Sequence, residues 1–145
     1  MATRVSYSVP MLRVIDVERS IHFYELLGFT VTGMLRDESG TTRILWANLS
    51  CHRGNPEERT TENESAAVML TLGQGGGSDL PLGAKLDPTK QGASLYMFTQ
   101  DIEGLRADLV RNGIEVTEIV PRPYMEKGEM ELRDPDGWRV FVGGV

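Results

Sequence analysis

Apolar residues recur at helical spacing twice in this chain, and the same two residue types bracket each run. Asp16 precedes Val17, Ile21, Tyr24 and Leu27, and the run closes at Gly28. Asp101 precedes Ile102, Leu105 and Leu109, and that run closes at Gly113. Such spacing lays each apolar set along one side of a helix. An aspartate at the start accepts hydrogen bonds from N–H groups that a first turn leaves unpaired. A glycine at the end adopts the left-handed conformation that terminates a helix. The pattern predicts two capped amphipathic helices of equal length.

Strand-like segments flank both helices in the same order. They cover 9–14, 29–35, 42–49 and 66–72 around the first helix, and 94–99, 114–120, 129–133 and 138–142 around the second. Asp37-Glu38-Ser39-Gly40 and Asp134-Pro135-Asp136-Gly137 carry turn chemistry. The order βαβββ therefore occurs twice, which predicts an α+β chain. One domain spans 1–145, with module one over 9–72, a glycine-rich linker over 73–92 and module two over 93–145. Residues 51–65 are polar and predict an excursion between two strands. Gly75-Gly76-Gly77 lacks the Gly-Lys-Ser/Thr ending of a phosphate-binding loop.

Aligning Asp16 with Asp101 offsets the modules by 101 − 16 = 85 positions. Val9 then lies over Ser94, Met11 over Tyr96 and Arg13 over Phe98. Alternate residues of a strand share a face. Pro10, Leu12 and Val14, like Leu95, Met97 and Thr99, suit burial beneath a helix. Met11, Arg13, Tyr96 and Phe98 are left on the opposite faces. Over 42–49 the same parity gives Leu45, Ala47 and Leu49 to the helix side and Ile44, Trp46 and Asn48 to the other. An indole beside an amide suits stacking on a ligand and orienting it; filling an ordinary core is the equal alternative for Trp46. Trp138 is in phase with Val140 and Val142 and is expected in a core.

Composition narrows the classes. The 145 residues are 40% hydrophobic and 25% charged, as in an ordinary globular domain. No stretch approaches the ~18 apolar residues of a membrane span, and residues 1–10 lack a signal-peptide apolar core. A net charge of −6 and a pI near 4.9 exclude a basic nucleic-acid footprint and favour neutral or cationic ligands. One cysteine, Cys51, excludes an internal disulfide and fits the reducing cytoplasm. With only His22 and His52 beside it, a structural zinc site is excluded.

The residues from Val9-Pro10-Met11-Leu12-Arg13-Val14 through Ser20-Ile21-His22-Phe23-Tyr24 to Leu27-Gly28-Phe29 resemble the opening of the vicinal oxygen chelate superfamily. That superfamily holds glyoxalase I enzymes, bleomycin resistance proteins and extradiol dioxygenases. Arg133-Asp134-Pro135-Asp136-Gly137-Trp138 is similar to its terminal hairpin. The resemblance implies two βαβββ modules forming cupped half-barrel sheets with helices outside, in a homodimer that often exchanges modules. It places the metal ligands of the enzymes at Val9, Leu70, Ser94 and Phe141, where lone-pair donors are missing or poor. A shift by one residue, to Pro10, Met69, Thr71 and Val140, is no better. A buried divalent charge there would be uncompensated. Arg13 matches the position of a carboxylate-gripping arginine in glyoxalase I, with an internal salt bridge as the equal alternative.

Other chemistry is weaker. Cys51 and His52 are adjacent and point apart, no Gly-x-Ser-x-Gly elbow occurs, and His22 reads as a surface residue. The expectation is a metal-independent, cofactor-free small-molecule binding protein resembling the bleomycin resistance group, without catalysis. Met11, Arg13, Trp46, Asn48, Tyr96, Phe98 and Phe141 are its ligand-binding candidates. The alternative is a metal-dependent lyase, isomerase or dioxygenase drawing ligands from His52, Glu64, Glu118, Glu129 or Glu131. A third reading is a scaffold dimer whose cup is filled by its own side chains.

Overall fold

A computed structural model describes residues 4, 5, 7–39, 42–52, 64–73, 82, 83 and 93–145. The chain divides into two compact units, Met1–Gln74 and Gly75–Val145.

The first unit contains β1 (Met11–Val14), α1 (Val17–Leu26), β2 (Thr30–Arg36), β3 (Ile44–His52) and β4 (Glu64–Leu72), with strands in the order β1-β4-β3-β2. β1 runs parallel to β4; the other neighbours are antiparallel. The Asp16 carboxylate accepts the Arg19 N–H at 3.1 Å and so opens α1. At the other end the Phe29 N–H donates to the Tyr24 carbonyl and the Gly28 N–H to the Glu25 carbonyl, with Gly28 at φ +98°. This is the paired closure for which a left-handed glycine is needed. Val17, Ile21 and Tyr24 are buried and α1 packs chiefly on β3, over a core that includes Leu12, Val14, Ala47, Leu49, Val68 and Leu70.

The second unit repeats the plan with β5 (Ser94–Thr99), α2 (Ile102–Arg111), β6 (Val120–Arg122), β7 (Met125–Arg133) and β8 (Arg139–Gly144), in the order β5-β8-β7-β6. Asp101 caps α2 by accepting the Gly104 N–H at 2.9 Å. Gly113, at φ +76°, donates to Val110 while Ile114 donates to Leu109. The Asp134 carboxylate accepts both the Asp136 and Trp138 N–H groups at 2.9 Å, and Gly137 at φ +85° completes the expected turn.

Four departures from the sequence expectation have local causes. β1 starts at Met11 rather than at residue 9. Pro10 has no N–H for a ladder, and only its carbonyl takes part, accepting from Met69. β3 and β4 extend into the expected excursion, pairing Cys51 with Ala66 and His52 with Glu64. Residues 53–63, and the expected linker apart from 73, 82 and 83, lie outside the described residues. The strand expected over 114–120 shrinks to a bridge between Val116 and Leu132 and to β6. Ile114 is spent on closing α2, and the Thr117 hydroxyl takes the Glu131 N–H. Ile44 is buried instead of sharing a face with Trp46. A register shift against Leu35–Arg36 inserts Leu45 as an extra residue and reverses the parity beyond it.

Each cap contributes independently. Asp16→Ala and Asp101→Ala are each expected to lower stability by about 1 kcal/mol, and the double variant by about the sum. The midpoint of urea unfolding measures this, and Asp→Asn at either position is expected to restore most of the loss.

Candidate functional site

Strand register decides which side chains share a surface. In the first sheet Met11 pairs with Met69, Met69 with Asn48 and Asn48 with Gly33, and the next row runs Arg13, Thr71, Trp46 and Leu35. These rows form the face opposite α1. Four expected ligand-binding residues, Met11, Arg13, Trp46 and Asn48, therefore share one surface. Trp46 is half-buried, with its indole lying across Gly33: a Cβ there would meet the ring at 3.2 Å. It belongs neither to the helix-side core nor to open solvent. The Asn48 amide donates to Thr32 Oγ1 at 2.8 Å, and its Oδ1 is buried without a hydrogen-bond partner.

In the second sheet Ser94 pairs with Arg139 and Arg139 with Arg133; Tyr96 pairs with Phe141 and Phe141 with Glu131. Phe98, Gly143, Glu129 and Val120 make the third row. Tyr96, Phe98 and Phe141 thus share the face opposite α2. Tyr96 lies nearly parallel to Phe141, with centroids 6.1 Å apart, and sits 5.2 Å from Phe98. The Arg139 guanidinium lies 5.1 Å from the Phe141 ring centre. Phe141 is occupied by the chain's own groups, whereas Phe98 is 61% exposed.

This face also carries a buried ionic network that the sequence reading missed. Arg139 and Glu131 are buried, and Glu131 Oε1 accepts Arg139 Nε and Arg133 Nη1, each at 3.0 Å. Its Oε2 accepts the Gly83 N–H at 3.3 Å. Burial holds the Arg133 guanidinium below its usual pKa, against the pull of Glu131. Glu129 accepts the Tyr96 hydroxyl at 2.6 Å and the Tyr124 hydroxyl at 3.3 Å. Loss of water and then the bond to Glu129 raise the Tyr96 pKa. The alternation of Glu129, Glu131 and Arg133 with Met130 and Leu132 was the available signal. It marks a charged face, but not the arginines that meet it.

The positions implied for a metal are distributed differently from expectation. Leu70 is fully buried on the α1 side; Met69 and Thr71 are its neighbours on the opposite face. Val9 precedes β1, and Ser94 and Phe141 lie on the second sheet's open face. An isopropyl, a thioether or isobutyl, a hydroxyl and a phenyl group do not form a donor set for a divalent ion. Glu129 and Glu131 are bonded to tyrosines and arginines. Among the described residues no three His, Cys, Asp or Glu side chains converge. His52 pairs with Glu64, which accepts the Tyr7 hydroxyl, and Glu118 bonds Arg106 at 3.2 Å. Trp138 precedes β8 and is half-buried, short of the core position expected for it. Cys51 is a free thiol, and among the described residues no helix is long and apolar enough to cross a membrane.

Solved structures share this architecture. A bleomycin-binding protein complexed with bleomycin is 19% identical, with a TM-score of 0.58 over 97% of this chain and 99% of that one. A glyoxalase-related enzyme from Clostridium phytofermentans is 18% identical, with a TM-score of 0.68 over 97% of each chain. The fosfomycin resistance protein FosX from Listeria monocytogenes, solved with Mn(II), is 12% identical, with a TM-score of 0.63 over 98% of this chain and 94% of that one. At these identities the likeness is one of fold. No curated protein matches the sequence significantly. Residues 6–142 match the Glyoxalase/Bleomycin resistance protein/Dioxygenase superfamily, and the chain belongs to it.

Proposed function

We propose that this protein is a metal-independent small-molecule binding protein of the bleomycin-resistance kind, which sequesters its ligand without converting it. The observation that carries this reading is the chemistry of the open faces. Where the enzymes of the resemblance place metal ligands, this chain offers Val9, Met69 beside Leu70, Ser94 and Phe141, while exposed or half-buried Met11, Trp46, Tyr96 and Phe98 offer apolar and aromatic surface. Large apolar groups left on a sheet face need a cover. A planar ligand held in a groove of a cytoplasmic homodimer supplies one in this reading, with Arg13 and Asn48 orienting it. The fold shared with a protein complexed with bleomycin supports the class and not the particular drug.

Three outcomes are expected. Protein purified without chelator is expected to contain far less than one Ni, Zn, Fe or Mn per chain by elemental analysis. Stoichiometric metal would replace this reading with a lyase, isomerase or dioxygenase. Titration with a panel of planar antibiotics, followed by tryptophan fluorescence, is expected to find a quenching ligand. Trp46→Ala is then expected to weaken that ligand at least about tenfold, the scale of a lost aromatic anchor. Unchanged affinity in Trp46→Ala would remove Trp46 from the site, because Trp138 alone would then report the quenching.

A further inference from the structure

We infer that the ligand carries an oxyanion, a carboxylate or a phosphate, and that Arg122 in the second unit receives it. The inference rests on the small-molecule reading above and names the chemistry of the ligand. A cavity of about 310 Å³ lies against β6 and β7, and Arg122, Glu129, Glu131, Arg139, Val120 and Phe141 are among its walls.

Donor and acceptor capacity in this cavity are unequal. A carboxylate offers about four lone-pair sites. Glu131 already accepts Arg139, Arg133 and the Gly83 N–H. Glu129 already accepts two phenolic hydroxyls. Glu118 is turned to solvent, with its side chain 86% exposed and bonded to Arg106. The acidic side chains of the lining are thus engaged by the chain's own donors. Arg122 is the contrast. Its guanidinium is half-exposed and makes one long ion pair, Nε to Glu129 Oε1 at 3.9 Å, beyond hydrogen-bond reach, so its N–H donors are not saturated by that contact. A guanidinium carries five N–H donors in a planar fork that matches a carboxylate or a phosphate. The pairs Val120 with Glu129 and Arg122 with Met125 fix Arg122 on the edge strand of the sheet, in the wall of the cavity. Exposed Val120 offers apolar surface to the remainder of a ligand.

The whole-chain charge of −6 disfavours anions at long range, and the cavity wall itself carries three glutamates beside two arginines. Selection for an acid at this cavity therefore has to come from short-range contacts, and one side chain can be tested for it. The probes are benzoate, phenyl phosphate, benzamide and benzylammonium, which keep one ring and vary the charge. Isothermal titration with the intact protein is expected to show one of the two acids binding at least about tenfold tighter than benzamide, the scale of a charge-assisted pair. Whichever acid binds tighter identifies the source of the oxyanion.

Arg122→Gln is expected to abolish that preference and Arg122→Lys to retain part of it. Arg111→Gln removes the same charge from the exposed end of α2 and is expected to leave the preference unchanged. Circular dichroism confirms that each variant folds. Benzamide or benzylammonium binding as tightly as the acids overturns the inference while leaving a small-molecule binder in place. Failure of both acids to bind, or a preference that survives in Arg122→Gln, overturns it as well. Stoichiometric metal in the purified protein counts against the underlying reading instead.

Discussion

Side chains of a β-strand project alternately to the two faces of its sheet, and each sheet of this protein has one helix to cover one of them. That constraint organises everything else. Leu12, Val14, Ala47, Leu49, Val68 and Leu70 meet α1, while Ile102 and Leu109 of α2 are buried in the unit that holds Met130, Leu132, Val140 and Val142. The residues between them in sequence are sent to the other face whatever their chemistry. A methionine, an arginine and an indole on one sheet, and three aromatic rings on the other, are left without a helix over them. Functional capacity in this fold is a consequence of pleat and register more than of any local motif.

The two open faces differ in character. On the first, Met11 and Arg13 are exposed, Trp46 lies across a glycine, and Asn48 is tethered through Thr32. The second is knit together. Removing one member of a buried ion pair leaves an uncompensated charge, with a typical cost of about 3–5 kcal/mol. Glu131 therefore holds Arg139 and Arg133 in place, and Arg139 in turn lies against Phe141. The result is a rigid wall whose aromatic ring is already covered, beside freer surfaces at Phe98 and Arg122. Rigidity of this kind favours recognition, since fewer side chains need to be ordered when a ligand arrives.

Most of the secondary structure was legible in the sequence because its signals are local. The aspartate caps, the left-handed glycines, the Asp-Pro-Asp-Gly turn and the helical periodicity each depend on atoms within a few residues. Their recurrence at an offset of 85 exposed the duplication and with it the strand order. Misplaced boundaries arose where two signals competed for one residue. Ile114 is β-branched and apolar, but its N–H is required at the end of α2. Thr117 still donates its N–H to the Glu131 carbonyl, but its hydroxyl accepts the Glu131 N–H while its own carbonyl accepts from Arg106.

The sequence by itself determined two βαβββ modules and their capped helices. It also placed Met11, Arg13, Trp46 and Asn48 on one face and Tyr96, Phe98 and Phe141 on another. Tertiary structure decided that Ile44 turns inward after a bulge, that Leu70 faces the helix, and that Phe141 is covered by Tyr96 and Arg139. It alone brought Arg133 and Arg139 to Glu131, and Tyr96, Tyr124 and Arg122 to Glu129. The reason is physical: a cap or turn is closed by neighbours along the chain. A bulge, a register and an ion pair are closed by partners on another strand, whose identity no local pattern records.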